Sequence, residues 1–237
     1  ALGDLSQNQG LYENLANEFK KMGHIMYIVA PSKKDKTTFK KESGIKVIRV
    51  KTNKFSGVSN IRKGLAYQKI IFQYLYFIRK YIWKVKMDLI LTHSLPPEIG
   101  VIVRPLKQHY KCPFYLMQND YTWQDAVSFG FFKKRSILCK YYQYLEKLSF
   151  ELADCIGVPS KGNIEFIKKH YPALEVSKVK LLHLYQKPAA VSNDKKTFRE
   201  EYNLVDKFIV VYGGSMGVAQ KIEHVITLAE SCLDNEQ

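Results

Sequence analysis

This sequence is short of negative charge: 22 Asp and Glu stand against 37 Lys and Arg in 237 residues, a formal net charge of +15. Such an imbalance points to a polyanionic partner: nucleic acid, an anionic membrane face or phosphorylated small molecules. Cysteine is sparse as well. Cys112, Cys139, Cys155 and Cys232 are far apart, with no CxxC pair and no close histidine set, so neither a thiolate metal site nor a disulfide framework is indicated. Three of the four sit in apolar runs and read as buried free thiols of a reducing compartment. No run approaches the ~18 apolar residues of a membrane span, and no signal-peptide pattern opens the chain, so the expected location is cytoplasmic. Internal repeats and low-complexity tracts are lacking. No G-x-G-x-x-G follows a strand with an acidic residue about 20 positions on, which disfavours a dinucleotide-binding oxidoreductase. RRM, KH and zinc patterns are missing and the basic residues are dispersed, which disfavours a nucleic-acid-binding protein.

What is present is an alternation of apolar runs. Leu11, Leu15, Phe19 and Met22 recur at helical spacing, with Gly23 placed to stop the helix. Ile25–Ala30 reads as a buried strand ended by Pro31, and a Lys-rich loop leads to a second strand, Ile45–Val50. Arg62–Trp83 reads as a long helix with Ile70, Ile71, Tyr74, Leu75, Ile78 and Ile82 on one side. A strand over Asp88–His93 leads into a helix opened by Pro96-Pro97-Glu98, which Pro105 should kink or end. A strand at Phe114–Met117 runs into Gln118-Asn119-Asp120, and a loop holding Phe129, Phe131 and Phe132 follows. The next helix has Ile137, Tyr141, Tyr144, Leu145, Leu148 and Leu152 in register. Asp154–Val158 is a strand, Ser160 caps a helix to His170, and Val179–Leu184 is a further strand. Gln186–Lys196 has the composition of a linker.

Strands and helices alternating at this rate predict an α/β fold in three layers, a mostly parallel sheet with helices on both faces. In such sheets ligands lie beyond the carboxyl ends of the strands, where His93, Asn119, Asp120 and Ser160 fall. A helix comes first with no strand before it, so a leading strand is expected to be missing. Near the other end, Phe208–Tyr212 is a β-branched and aromatic run, Gly213 and Gly214 break it, and helical spacing resumes at Val218, Ile222, Val225, Ile226 and Ala229. Strand, glycine turn and helix offer bare backbone N–H groups and a helix N-terminus to an anion, or simply make a tight turn.

Three stretches, in this order, resemble the sugar-nucleotide-dependent glycosyltransferases of family 4, with the two-domain GT-B fold. The first is Gly10-Leu-Tyr-Glu-Asn-Leu-Ala-Asn-Glu-Phe-Lys-Lys-Met-Gly-His24, and the second is Leu-Glu-Lys-Leu-Ser-Phe-Glu-Leu-Ala-Asp-Cys-Ile-Gly-Val-Pro-Ser160. The third is Tyr-Gly-Gly-Ser-Met-Gly-Val-Ala-Gln-Lys-Ile-Glu223. The resemblance implies transfer of a sugar from a nucleotide diphosphate sugar to an acceptor, with retained anomeric configuration and no required metal or other cofactor. A bacterial-type surface polysaccharide or glycolipid is the implied product. It further implies a Rossmann-like acceptor-side domain over residues 1–190, then a linker and the truncated start of a donor-binding domain over 191–237, so that this chain alone would not turn over.

By position, the resemblance makes Asp120 the acidic residue at the cleft, able to orient or deprotonate an acceptor hydroxyl; an Asn-Asp turn is the other reading. His93 matches the polar end of the preceding strand and reads as catalytic or as a packed turn histidine. Asn8, Gln9, Gly10 and Asn119 fall on the acceptor side, although the usual pair of adjacent glycines is absent at the first loop. Gly213, Gly214, Ser215, Met216 and Lys221 match the loop near the donor diphosphate, with Gln220-Lys221 where many members have Lys-Gly. The Asn-Gly common after the strand at Val179–Leu184 is replaced by Tyr185-Gln186.

Two segments interleave aromatics with positive charge. Tyr74–Lys86 reads as a core helix with a solvated Lys face. Phe129-Gly-Phe-Phe-Lys-Lys-Arg135 reads as a loop, with Phe129, Phe131, Phe132, Lys133, Lys134 and Arg135 either touching an anionic membrane, where a lipid-linked acceptor would lie, or packed under the neighbouring helix.

Overall fold

The computed structural model describes residue 5, residues 10–32, 34, 36–53, 60–184, 198–216 and 220–232. The chain divides into two compact units, residues 1–187 and 188–237. In the first unit the strands are β1 (Tyr27–Pro31), β2 (Thr38–Glu42), β3 (Ile45–Val50), β4 (Ile90–His93), β5 (Phe114–Met117), β6 (Cys155–Val158) and β7 (Val179–Leu181). The helices are α1 (Leu11–Lys21), α2 (Asn60–Ile82), α3 (Ile99–Tyr110), α4 (Thr122–Ser128), α5 (Ile137–Leu152) and α6 (Lys161–His170). The fold is α/β, its centre a parallel four-stranded sheet in the order β4-β5-β6-β7, flanked by helices. A smaller sheet, β1-β3-β2, joins β1 to β3 in parallel and β2 to β3 in antiparallel pairing.

The central strands are apolar without alternation because helices cover them. Phe114 and Leu116 of β5 and Ile156 and Val158 of β6 are inaccessible to solvent, and they form one core with Ile48 and Val50 of β3 and with Ile102 and Val103 of α3. Against that core α2 lays Ile70, Ile71, Tyr74, Ile78 and Ile82, the face its periodicity marks out. The hydroxyl of Ser136 caps α5 by accepting from the Cys139 N–H at 3.2 Å, and Ser160 caps α6 by accepting from Asn163 N–H at 3.2 Å.

Several expectations need correction. The Lys-rich loop contains β2, joined to β3 by Ser43 and Gly44, both at positive φ as a two-residue hairpin turn requires. On this hairpin the buried Glu42 carboxylate pairs with Arg49 through two hydrogen bonds, Nη2 to Oε2 at 2.6 Å and Nε to Oε1 at 3.1 Å. Pro105 does not end α3, which runs on to Tyr110. The ring removes one helical hydrogen bond, and the buried Ile102, Val103 and Leu106 hold the helix against the core regardless. Part of the segment after Asp120 is a helix, α4, because Trp123 is buried beneath it.

The second unit holds α7 (Phe198–Glu201) and α8 (Glu223–Ser231). Phe208–Tyr212 is not a strand. Among the described residues of this unit no other strand offers a ladder partner, and Phe208, Val210 and Val211 stay 93%, 75% and 76% exposed. The linker at Gln186–Lys196 lies outside the described residues.

Candidate functional site

Parallel pairing puts the carboxyl ends of β4 and β5 side by side, with His93 opposite Met117. The chain leaves both strands while still hydrogen bonded: Ser94 N–H donates to Met117 O at 3.0 Å, and Gln118 N–H donates to Gly157 O of β6 at 2.8 Å. The residues that follow are therefore held by backbone, and side chains then lock the turn. Asp120 N–H donates to Ser94 Oγ at 3.2 Å, and the buried Gln118 amide donates to Asp120 O at 2.7 Å. That fixes the Asp120 main chain and leaves its carboxylate at the surface with no hydrogen-bond partner among the described residues. Partial loss of hydration raises its pKa above the ordinary aspartate value.

Beside it, Asn119 Nδ2 donates to the Tyr12 hydroxyl of α1 at 3.0 Å, while Asn119 Oδ1 is buried without a partner among the described residues. The Tyr12 ring stacks on His93, centroids 5.1 Å apart. His93 Nδ1 accepts from Leu95 N–H at 3.1 Å, so the ring proton sits on Nε2. Burial lowers the His93 pKa to about 4. A neutral imidazole whose free nitrogen already carries hydrogen is a donor, so its chemistry here is hydrogen bonding rather than proton abstraction.

Below the turn is a cavity of about 10 Å³, the size of one water, lined by Ser94, Gln118, Asp120, Tyr142 and Glu146 among others. Glu146 is nearly buried and accepts from Trp123 Nε1 at 2.9 Å and from the Tyr171 hydroxyl at 2.5 Å. Burial pushes its pKa up to about 7. Glu98, at the start of α3, is wholly buried; Gln68 Nε2 donates to its Oε1 at 2.9 Å, Oε2 has no partner among the described residues, and burial raises its pKa to about 7 as well. A wider, shallower hollow of about 400 Å³ lies at the opposite end of the strands, beside Lys107, Pro113 and Asp154.

The structure thus brings His93, Asn119 and Asp120 together and adds Tyr12, Ser94 and Gln118, which sequence reasoning missed. Tyr12 lies on the inward side of an amphipathic helix and carried no motif of its own; Ser94 and Gln118 directly adjoin the residues singled out. Gly10 stands at the N-cap of α1, and a Cβ there would meet the Glu13 carboxylate. Asn8 and Gln9 lie outside the described residues. Gly213, Gly214, Ser215 and Met216 are exposed in the second unit, where the Tyr212 hydroxyl donates to Ser215 O at 2.9 Å. Neither glycine takes positive φ. Lys221 does, at 45°, one residue before the N-cap of α8. Ser160, also at a strand end, spends its hydroxyl on capping.

Among solved structures the chain is similar to sucrose-phosphate synthase of Thermosynechococcus elongatus, at 15% identity, over 74% of this chain and 85% of that one, with a TM-score of 0.48. No family model and no curated protein sequence matches it.

Proposed function

We propose that the chain is the acceptor-side part of a retaining glycosyltransferase that moves a sugar from a nucleotide diphosphate sugar to an acceptor hydroxyl, in surface polysaccharide or glycolipid synthesis. The observation that carries the reading is the Asp120 carboxylate. It is without a hydrogen-bond partner among the described residues and partly desolvated, and it is held at the carboxyl end of a parallel sheet by a main chain bonded to Ser94 and Gln118. A carboxylate so placed accepts a hydrogen bond from a sugar hydroxyl and takes its proton as the glycosidic bond forms. The His93 Nε2–H supplies a donor alongside the carboxylate acceptor, a pair that suits a sugar hydroxyl. Gly213–Met216 and Lys221 are assigned to the donor diphosphate, on the motif order read in the sequence.

Thermal shift, on a chain extended to include the whole second domain, tests the class of ligand. Stabilisation by UDP or GDP, with NAD and a short oligonucleotide silent, supports sugar transfer; stabilisation by NAD alone, or by oligonucleotide alone, overturns it. In a chain extended through the donor-binding domain, with a nucleotide sugar that is consumed, Asp120→Asn should lower kcat by roughly 10²–10⁴-fold and leave the donor KM nearly unchanged.

A further inference from the structure

The solvent face of α2 carries more than lysine. Leu65, Phe72 and Tyr76 are 65%, 75% and 60% exposed, and their spacing of seven and four residues sets them in one line along the helix. Lys69, Arg79 and Lys80 are exposed on either side of that line, and no acidic residue occurs anywhere from Asn60 to Ile82. The first half of α5 does the same. Ile137 is 89% exposed and Tyr144 55%, two turns apart on one side with half-buried Tyr141 between them. At the elbow before α5, Phe131 is exposed beside Lys133, Lys134 and Arg135, whereas Phe132 turns inward to stack on Tyr142 at 5.5 Å. No Asp or Glu lies between Asp125 and Glu146.

These two faces are neighbours. Gln68 Nε2 of α2 donates to the Tyr141 hydroxyl of α5 at 2.9 Å, and Gln68 is one turn from both Leu65 and Phe72. The result is a pair of adjoining faces with protruding apolar side chains, along which Asn60–Ile82 and residues 126–145 contribute only cationic charge.

We infer that this surface docks on an anionic lipid bilayer, α2 and the start of α5 lying in the headgroup layer. Phe72, Ile137 and their neighbours enter the acyl boundary while the lysines and arginines meet lipid phosphates. The charge decides among occupants. Protein interfaces are depleted in lysine, and a nucleic acid stacks on aromatic rings but gains little from Leu65 or Ile137. Among the described residues no helix is long and apolar enough to cross a membrane, so the contact is with one face of the bilayer. The inference stands independently of the sugar-transfer reading.

Co-sedimentation of the whole chain with vesicles tests it. Binding is expected to vesicles of phosphatidylcholine mixed with phosphatidylglycerol, not to phosphatidylcholine alone, and to weaken with salt. Replacing Lys133, Lys134 and Arg135 by Gln should weaken binding roughly a hundredfold. The double variant Phe72→Asp, Ile137→Asp should abolish binding with its melting temperature unchanged. A conservative reporter, Phe72→Trp, should show blue-shifted emission on anionic vesicles, quenched by brominated acyl chains. The inference is overturned by failure to bind anionic vesicles, by equal binding of the double aspartate variant, by unshifted emission of the bound reporter, or by oligonucleotide binding without vesicle binding.

Discussion

The Asn119 amide donates to the Tyr12 hydroxyl at 3.0 Å, joining the turn after β5 to the first helix across 107 residues of sequence. Because Tyr12 also stacks on His93, one phenol ring links both strand ends that form the site. Tyr12→Phe keeps the stack and deletes the acceptor. We expect it to cost about 1 kcal/mol in denaturant unfolding and to raise the KM for acceptor more than it lowers kcat. No change in either would mean that the bond does not position Asn119.

The neutral state of His93 is directly observable. With its pKa lowered to about 4 by burial, the ring should not titrate between pH 5.5 and 8, and nitrogen NMR should place its proton on Nε2. A titration midpoint near the ordinary histidine value would return His93 to the role of base.

Stability should fall as pH rises from about 4.5 to about 7. Glu98 and Glu146 both have folded-state pKa values raised from 4.5 to about 7 by burial. Between those values the folded form keeps carboxyl protons that the unfolded chain has released, so raising the pH favours unfolding. His93, lowered from 6.5 to about 4, acts in the opposite sense up to its ordinary value, and the two acids together outweigh it. The melting temperature at pH 8 should lie several degrees below that at pH 5. Glu98→Gln should flatten the profile, since an amide fills the same space and needs no proton. A profile that rises across this window would contradict the burial of both acids.

Much of the fold could be read in advance because its signals are local. β3 and β5 fall at the expected residues, and the buried face of α2 is the one its periodicity marks. The misreadings have tertiary causes. β2 is rich in lysine, and only the Ser43-Gly44 turn and the pairing of Glu42 with Arg49 reveal a strand. Phe208–Tyr212 has strand composition but no partner among the described residues of its unit, and composition cannot supply one. On α5, the apolar residues in register are core only from Leu145 onward, where neighbouring elements reach them. At the site, Asp120 and Asn119 could be located from strand ends alone. Tyr12 could not, because its part depends on how α1 packs against β4 and β5.

The account rests on Asp120 as the group that meets a sugar hydroxyl, and amide chemical-shift mapping with a panel of simple glycosides and sugar phosphates examines that most directly. Shifts should cluster at Ser94 and Gln118–Asp120 and extend to Tyr12, and Asp120→Ala should remove them while the rest of the spectrum holds. Shifts confined to the hollow beside Lys107 and Asp154, or the same shifts in the Asp120→Ala variant, would contradict it.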